Sequence, residues 1–174
     1  KDEDYYVYRE GIEHDYFGKD VNGDVYINAV WPGDSAFPDF GRQEVRDWWG
    51  EKHQFLLDKC IMGVWNDMNE PASFNGPLPD DVVFTEEDEI TNHKWMHNVY
   101  GHNMSKATYQ GLRRLSDKRP FVITRACYSG TQKYATVWTG DNNSLWTHLR
   151  MAIPQLCNLG MSGYPFAGTD IGGF

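Results

Sequence analysis

Four short apolar runs, over 61–65, 120–124, 134–139 and 162–167, are each followed at once or within three residues by a charged side chain: Asp67, Arg125, Asp141 and Asp170. Helical periodicity fills most of the intervals between them. Strands that alternate with helices predict a parallel α/β sheet, because a parallel pair has to be joined by a long crossover. Polar side chains gathered at the carboxyl ends of such strands predict a (β/α)8 barrel. A doubly wound sheet shares that pattern but usually carries a glycine-rich phosphate loop, and the sequence has none. One interval conflicts with the barrel. Only eight residues separate Arg125 from Tyr134, short of the dozen or so a parallel crossover takes, so spacing alone favours a hairpin there.

Three helices are expected. The first, over 42–59, gathers Val45, Trp48, Trp49 and Leu56 toward one face. The second, over 92–117, sets Met96, Tyr100, Met104, Thr108, Leu112 and Leu115 at spacings of four and three, which paints one side of a helix. The third, over 144–159, carries Leu145, Leu149, Ile153 and Leu156 and should kink at Pro154. Residues 1–40 read as irregular and aromatic-rich, apart from a hairpin signal at Asn22-Gly23 between extended residues. Residues 71–91 form a Pro- and acid-rich stretch longer than a routine connection, expected to be a lid or inserted loop. Its acidic run over 86–89 reads as a solvated face.

A chain of 174 residues, 40% hydrophobic with seven tryptophans, can bury one core and is not a disordered segment. No apolar stretch approaches the roughly 20 residues of a membrane helix. A net charge of −9 argues against a phosphate backbone as partner and suits neutral substrates, so neither a nucleic acid nor a membrane is expected. Cys60, Cys127 and Cys157 lie far apart and form no CxxC pair. They read as buried free thiols, and with no basic-then-apolar leader at the start of the sequence they favour a reducing compartment such as the cytoplasm. His93 and His97 stand one turn apart, as zinc ligands can, but no glutamate follows His93 and no third ligand is evident, so no metal is expected. The sequons at Asn103 and Asn142 read as accidental.

The stretch Gly63-Val64-Trp65-Asn66-Asp67-Met68-Asn69-Glu70-Pro71 puts two carboxylates three residues apart at a strand end, where an ionised group is costly unless it is hydrogen-bonded or faces a cation. Arg125, at the next strand end, is a natural counter-charge. Asp141, in Trp138-Thr139-Gly140-Asp141-Asn142, supplies a carboxylate from a different strand. Two carboxylates that converge from separate strands are the machinery of glycoside hydrolysis. The aromatic content suits a sugar site, though it suits a packed core equally well. Glu70 reads as a support for the nucleophile's surroundings rather than as an acid or base itself.

Residues 65–71 resemble the signature of glycoside hydrolase family 31, in the branch of α-glucosidases and processing glucosidase II. The stretches 30–33, 36–40, 119–125, 137–142 and 167–174 resemble further family segments in family order, so the likeness runs along most of the chain. The resemblance implies a (β/α)8 barrel with this chain as roughly its middle, the remainder of the catalytic domain as its structural partner, and an oligosaccharide with terminal α-glucose as substrate. It implies that Asp67 is the nucleophile and Asp141 the acid/base, with Glu70 counted among the active-site residues, and that Arg125 and Asp170 hold the terminal glucose. Trp31, Trp65, Met68, Trp138 and Phe174 would line the pocket, and neither a metal nor an organic cofactor would be needed. It also implies a short connection over 126–133. Transglucosylases and α-glucan lyases share the same nucleophile, so the implied retaining exo-α-glucosidase has those rivals, together with a non-catalytic sugar-binding barrel.

Overall fold

The computed structural model describes all residues, 1–174. Residues 1–40 hold more regular structure than the irregular reading expected. Helix α1 spans Tyr6–Glu13, and strands β1 (Ile27–Val30) and β2 (Gly33–Ala36) form an antiparallel hairpin. Trp31-Pro32 turns it, and Gly33, the first residue of β2, sits at φ 100°, a conformation open to glycine without strain. Those flanks are too weakly apolar to announce strands. The expected turn at Asn22-Gly23 also forms, but it closes a single bridge, Lys19 to Val25, rather than a ladder. The Asp20 carboxylate accepts the backbone N–H groups of Asn22 and Asp24 (2.8 and 3.0 Å) and winds the loop on itself.

The helix expected over 42–59 is two: α2 (Gln43–Glu51) and α3 (Gln54–Asp58). At the break, the His53 N–H turns to the Gly50 carbonyl (3.2 Å) and its ring Nδ1 lies 3.0 Å from the Trp49 carbonyl, so a side chain competes with the helical ladder. Gly50, a poor helix former, stands just before it.

Strand β3 (Gly63–Asn66) follows. The segment 71–91 ends in a hairpin of β4 (Val83–Glu86) and β5 (Glu89–Asn92), turned by Glu87, at φ 55°, and Asp88, both exposed. The acidic run is therefore solvated, as expected, and is also the turn itself. Helix α4 (His93–Leu115) comes next, then β6 (Phe121–Thr124), a 3-10 turn at Thr131–Lys133, β7 (Thr136–Trp138), α5 (Trp146–Met161) and β8 (Ala167–Gly168). Pro154 lies inside α5. The last strand is shorter and later than the expected 162–167. The helix runs on to Met161, and residues 162–166 serve to end it, with Gly163 at φ 85° and the Tyr164 N–H returning to the Leu159 carbonyl.

The main sheet has the order β3-β6-β7-β8, every pair parallel, with Val64 opposite Val122 and Thr124 opposite Val137. The hairpin that spacing alone favours after Arg125 does not form. Strand β7 begins at Thr136, later than the expected 134, which leaves a crossover near the minimum length. Gly130, at φ 98°, and the 3-10 turn complete it without an α-helix.

The core lies between α2, α4 and the β4–β5 hairpin. Val45, Phe40, Phe84, Met96, Tyr100 and Ala107 are all buried there, and Leu78 and Val82 pin the 71–91 segment to the same cluster. Phe40 and Phe84, 1% exposed, contribute about 2–3 kcal/mol each by leaving water. Of the six residues read as one face of α4, Met96, Tyr100, Thr108 and Leu112 are buried and Met104 and Leu115 half-buried. The cysteines are free, but the expectation that they are buried is wrong. Cys60 and Cys157 are exposed and Cys127 half-buried, because Cys60 sits in the turn after α3 and Cys157 on the outer side of α5. Ser105 of the first sequon is wholly buried in α4, which closes that site. No helix is long and apolar enough to cross a membrane.

Candidate active site

The carboxyl ends of the parallel strands share one rim, and Arg125 is its centre. It follows β6 directly, and its backbone N–H bonds to the Asn66 carbonyl at the end of β3. Its guanidinium meets three carboxylates. Nε and Nη2 donate to the two oxygens of Glu70 at 2.7 and 3.0 Å, while Nη1 lies 3.1 Å from Asp141 Oδ2 and 3.2 Å from Asp67 Oδ1. The forked pair with Glu70 is the strong geometry for guanidinium and carboxylate. Those hydrogen bonds, with the charges of Asp67 and Asp141 behind them, push the Arg125 pKa up and keep the group charged against its partial burial.

The turn that carries Asp67 is built to hold this arrangement. Met68 takes φ 54°, an unusual value for a side chain of its size, and its N–H bonds back to Asp67 Oδ1 at 2.8 Å. Asn66 and Asn69 flank that turn, both 2% exposed. Asn66 faces the Thr108 hydroxyl of α4 at 3.3 Å, and Asn69 reaches Thr124, Ala126 and Gly101. Sequence reasoning misses both asparagines. The signal that could find them is a polar residue at the inner end of an apolar strand and another in the turn after it, each of which has to find partners once buried.

Of the expected site residues, the rim brings together Asp67, Glu70, Arg125 and Asp141. Trp65 and Trp138 meet edge to face with centroids 5.2 Å apart, Trp65 largely exposed and Trp138 buried. Trp31, at the tip of the β1–β2 hairpin, packs against Phe74 with centroids 4.8 Å apart, and the Phe74 N–H bonds to the Ala29 carbonyl, tying the hairpin to the loop after Asp67. Met68 and Asp67 line a cavity of about 320 Å³ with Trp31. Asp170 is not brought onto Arg125. Its side chain is exposed and has neither ion pair nor hydrogen bond, and its carbonyl accepts from Asn142 Nδ2 at 3.1 Å. Phe174 is 78% exposed and held beside the Asp141 loop by its backbone, which pairs with Asn142 and Ser144.

No group of three His, Cys, Asp or Glu side chains is arranged to hold a metal ion. His93 and His97 face each other, with Nε2 and Nδ1 3.1 Å apart.

The whole chain, residues 1–174, matches the model of the glycosyl hydrolases family 31 TIM-barrel domain. It is 54% identical to Alpha-glucosidase 2 of Bacillus thermoamyloliquefaciens over 177 residues, covering 100% of this chain and 22% of that protein. It is 39% identical to a probable glucan 1,3-alpha-glucosidase of Oryza sativa subsp. japonica, covering 100% of this chain and 20% of that one. Among solved structures, it superposes on the glucosidase II alpha subunit in its Glc1Man2-bound form with a TM-score of 0.89 and 36% identity, over 100% of this chain and 20% of the other. The chain thus spans about a fifth of the length of the relatives it matches.

Proposed function

Because this chain belongs to glycoside hydrolase family 31, we propose that its polar rim is the catalytic part of a retaining exo-α-glucosidase that releases terminal α-linked glucose. The observation that carries the reading is the contact of one nitrogen, Arg125 Nη1, with both Asp67 and Asp141. Two oxygens that lie 3.2 and 3.1 Å from a common atom are at most about 6.3 Å apart. Retaining glycosidases hold their carboxyl groups about 5–5.5 Å apart, and inverting ones about 6.5–9.5 Å, to leave room for a water. The separation supports the retaining class, and the names of the relatives support α-glucosidase activity.

In the first step the Asp67 carboxylate attacks the anomeric carbon while Asp141 gives its proton to the departing glycosidic oxygen. In the second, Asp141 takes a proton from water, the water oxygen attacks the same carbon and Asp67 leaves, so two inversions return the α-anomer. Positioned carboxylates supply both nucleophile and proton. Arg125 stays anchored on Glu70 through Nε and Nη2, and because the guanidinium is a rigid plane that fork holds Nη1 between Asp67 and Asp141, where a sugar hydroxyl would meet it. Asp170 joins it at the sugar, and Trp31, Trp65, Met68, Trp138 and Phe174 wall the pocket.

The test is made in the intact enzyme. Asp67→Ala is expected to lower kcat by about 10⁴-fold or more. Asp141→Ala should spare an aryl α-glucoside with an activated leaving group relative to a natural disaccharide, since only the poor leaving group needs the proton. Equal losses on both substrates would remove the acid/base role. An α-configured mechanism-based inactivator should label Asp67, and a label on another residue would end the assignment.

A further inference from the structure

Asn69 closes a ring of hydrogen bonds around the residue that orders the site. Its Nδ2 donates to the Thr124 hydroxyl at 2.9 Å, that hydroxyl donates to the Ala126 carbonyl at 2.9 Å, and the Ala126 N–H donates back to Asn69 Oδ1 at 3.2 Å. Thr124 and Ala126 are the two neighbours of Arg125, so the ring grips the backbone on both sides of the guanidinium's root. Asn69 itself lies two residues past Asp67 and is followed by Glu70, the forked partner of Arg125. The two side chains that make the ring are dry, Asn69 at 2% exposed and Thr124 not exposed at all, while Ala126 is half-buried.

Helix α4 completes the enclosure. Asn69 Nδ2 also reaches the Gly101 carbonyl at 3.5 Å, and a Cβ at Gly101 would stand 2.5 Å from the Asn69 carbonyl oxygen and 2.7 Å from Ala126 Cβ. A helix that comes this close leaves the ring no room to shift, so loop, strand and helix are locked at one point.

We propose that Asn69 is a positioning residue for the hydrolysis. It fixes Arg125 relative to the nucleophile loop and, through Arg125, sets the placement of Asp67 and Asp141. An asparagine suits this task because it needs one donor and one acceptor on the same planar group, which neither aspartate nor leucine supplies. The inference rests on the reading of the rim as a glycosidase site.

The experiment measures kcat and KM in the intact enzyme, at a temperature well below the unfolding midpoint of each variant. Asn69→Ala and Thr124→Val break the ring from opposite sides, the second with little change in shape. Each is expected to lower kcat/KM about 30-fold, in line with the cost of misplacing reacting groups by a fraction of an ångström. Thr124→Ser, which keeps the hydroxyl, should stay within about twofold of wild type. Val45→Ala, a wholly buried core change away from the rim, should lower the unfolding midpoint without moving kcat/KM by more than about twofold. Arg125→Lys is the deciding partner. If Asn69 acts through Arg125, the double variant Asn69→Ala/Arg125→Lys loses no more than Arg125→Lys alone and shows the same division between kcat and KM. Losses that multiply would overturn the inference, as would Asn69→Ala and Thr124→Val falling no further than Val45→Ala. Should Asn69→Ala fail to fold, Thr124→Val and its double with Arg125→Lys decide the matter by the same comparison. An inert Arg125→Lys would overturn both this inference and the reading of the rim, whereas a damaging Arg125→Lys beside a harmless Asn69→Ala would overturn this inference alone.

Discussion

Arg125 has one guanidinium for three carboxylates, and the distances decide how it divides them. Two nitrogens go to Glu70 and one is shared between Asp67 and Asp141. Glu70→Gln keeps the shape but removes the charge and one acceptor, so Arg125 should swing toward the two aspartates. A loss of about tenfold in kcat/KM is expected, with Asp67 still labelled by the inactivator at a reduced rate. Loss of labelling altogether would make Glu70 part of the chemistry rather than its support. A second residue-scale effect lies away from the rim. His93 is 3% exposed, and burial, aided by the facing His97 and opposed by Asp80, lowers its pKa from 6.5 to about 4. The unfolded chain therefore takes up a proton below about pH 6.5 that the folded ring refuses until about pH 4. The stability this group contributes is complete above pH 6.5, is lost as the pH falls toward 4, and declines no further below that. Hydrogen-exchange protection of the β4–β5 hairpin and the first turn of α4, corrected for intrinsic exchange, should drop about 30-fold between pH 7 and 4.5. In His93→Gln most of that drop should vanish. An unchanged pH dependence in the variant would place its cause elsewhere.

Between helices, a close backbone approach joins α2 to α4. A Cβ at Gly111 would stand 2.3 Å from Gly50 Cα and 2.6 Å from the Gly50 carbonyl oxygen, backbone against backbone, so no flexible side chain can make way. Gly111→Ala gains about 1 kcal/mol of helix propensity, but overpacking costs about 1–3 kcal/mol, and the second effect wins where the obstacle is main chain. A lower thermal midpoint is expected, and a raised one would show that α2 yields freely. The same two glycines mark where the sequence is hard to read. They sit on a helix face that looks polar because it has no side chain, although it is the contact. The α4 stripe is legible because its apolar spacing is regular over 23 residues. The break at Lys52-His53 is not, because it depends on a histidine ring bonding to its own preceding turn. The parallel β6–β7 pair contradicts its spacing for a third reason: a 3-10 turn can do the work of a crossover helix when the strands are short. At the site, the charged residues stand out because each ends an apolar run. Asn66 and Asn69 do not, since their meaning lies in partners 32 to 57 residues away.

At the scale of the molecule, four parallel strands make an open arc. Strands β3 and β8 each pair on one side only, so each presents a row of unsatisfied backbone groups. Helix α5 adds apolar surface, with Trp146, Ile153 and Met161 largely exposed and only Ala152 buried. A barrel abolishes such edges by closing, and eight strands are the smallest number typical of this architecture. The rim residues come from three strand ends on the arc, so their relative placement needs the sheet but not its closure, while the chain spans only about a fifth of the relatives it matches. The 174-residue chain expressed alone is therefore expected to associate through its edges at micromolar concentration, seen as rising light scattering, and to turn over no α-glucoside. Substituting Ile153→Lys and Met161→Lys together should slow the association without restoring turnover, because charge blunts a sticky face but supplies no strands. A monodisperse monomer that hydrolyses an aryl α-glucoside would sink this expectation and would mean that the arc, with Arg125 at its centre, is a sufficient catalyst by itself.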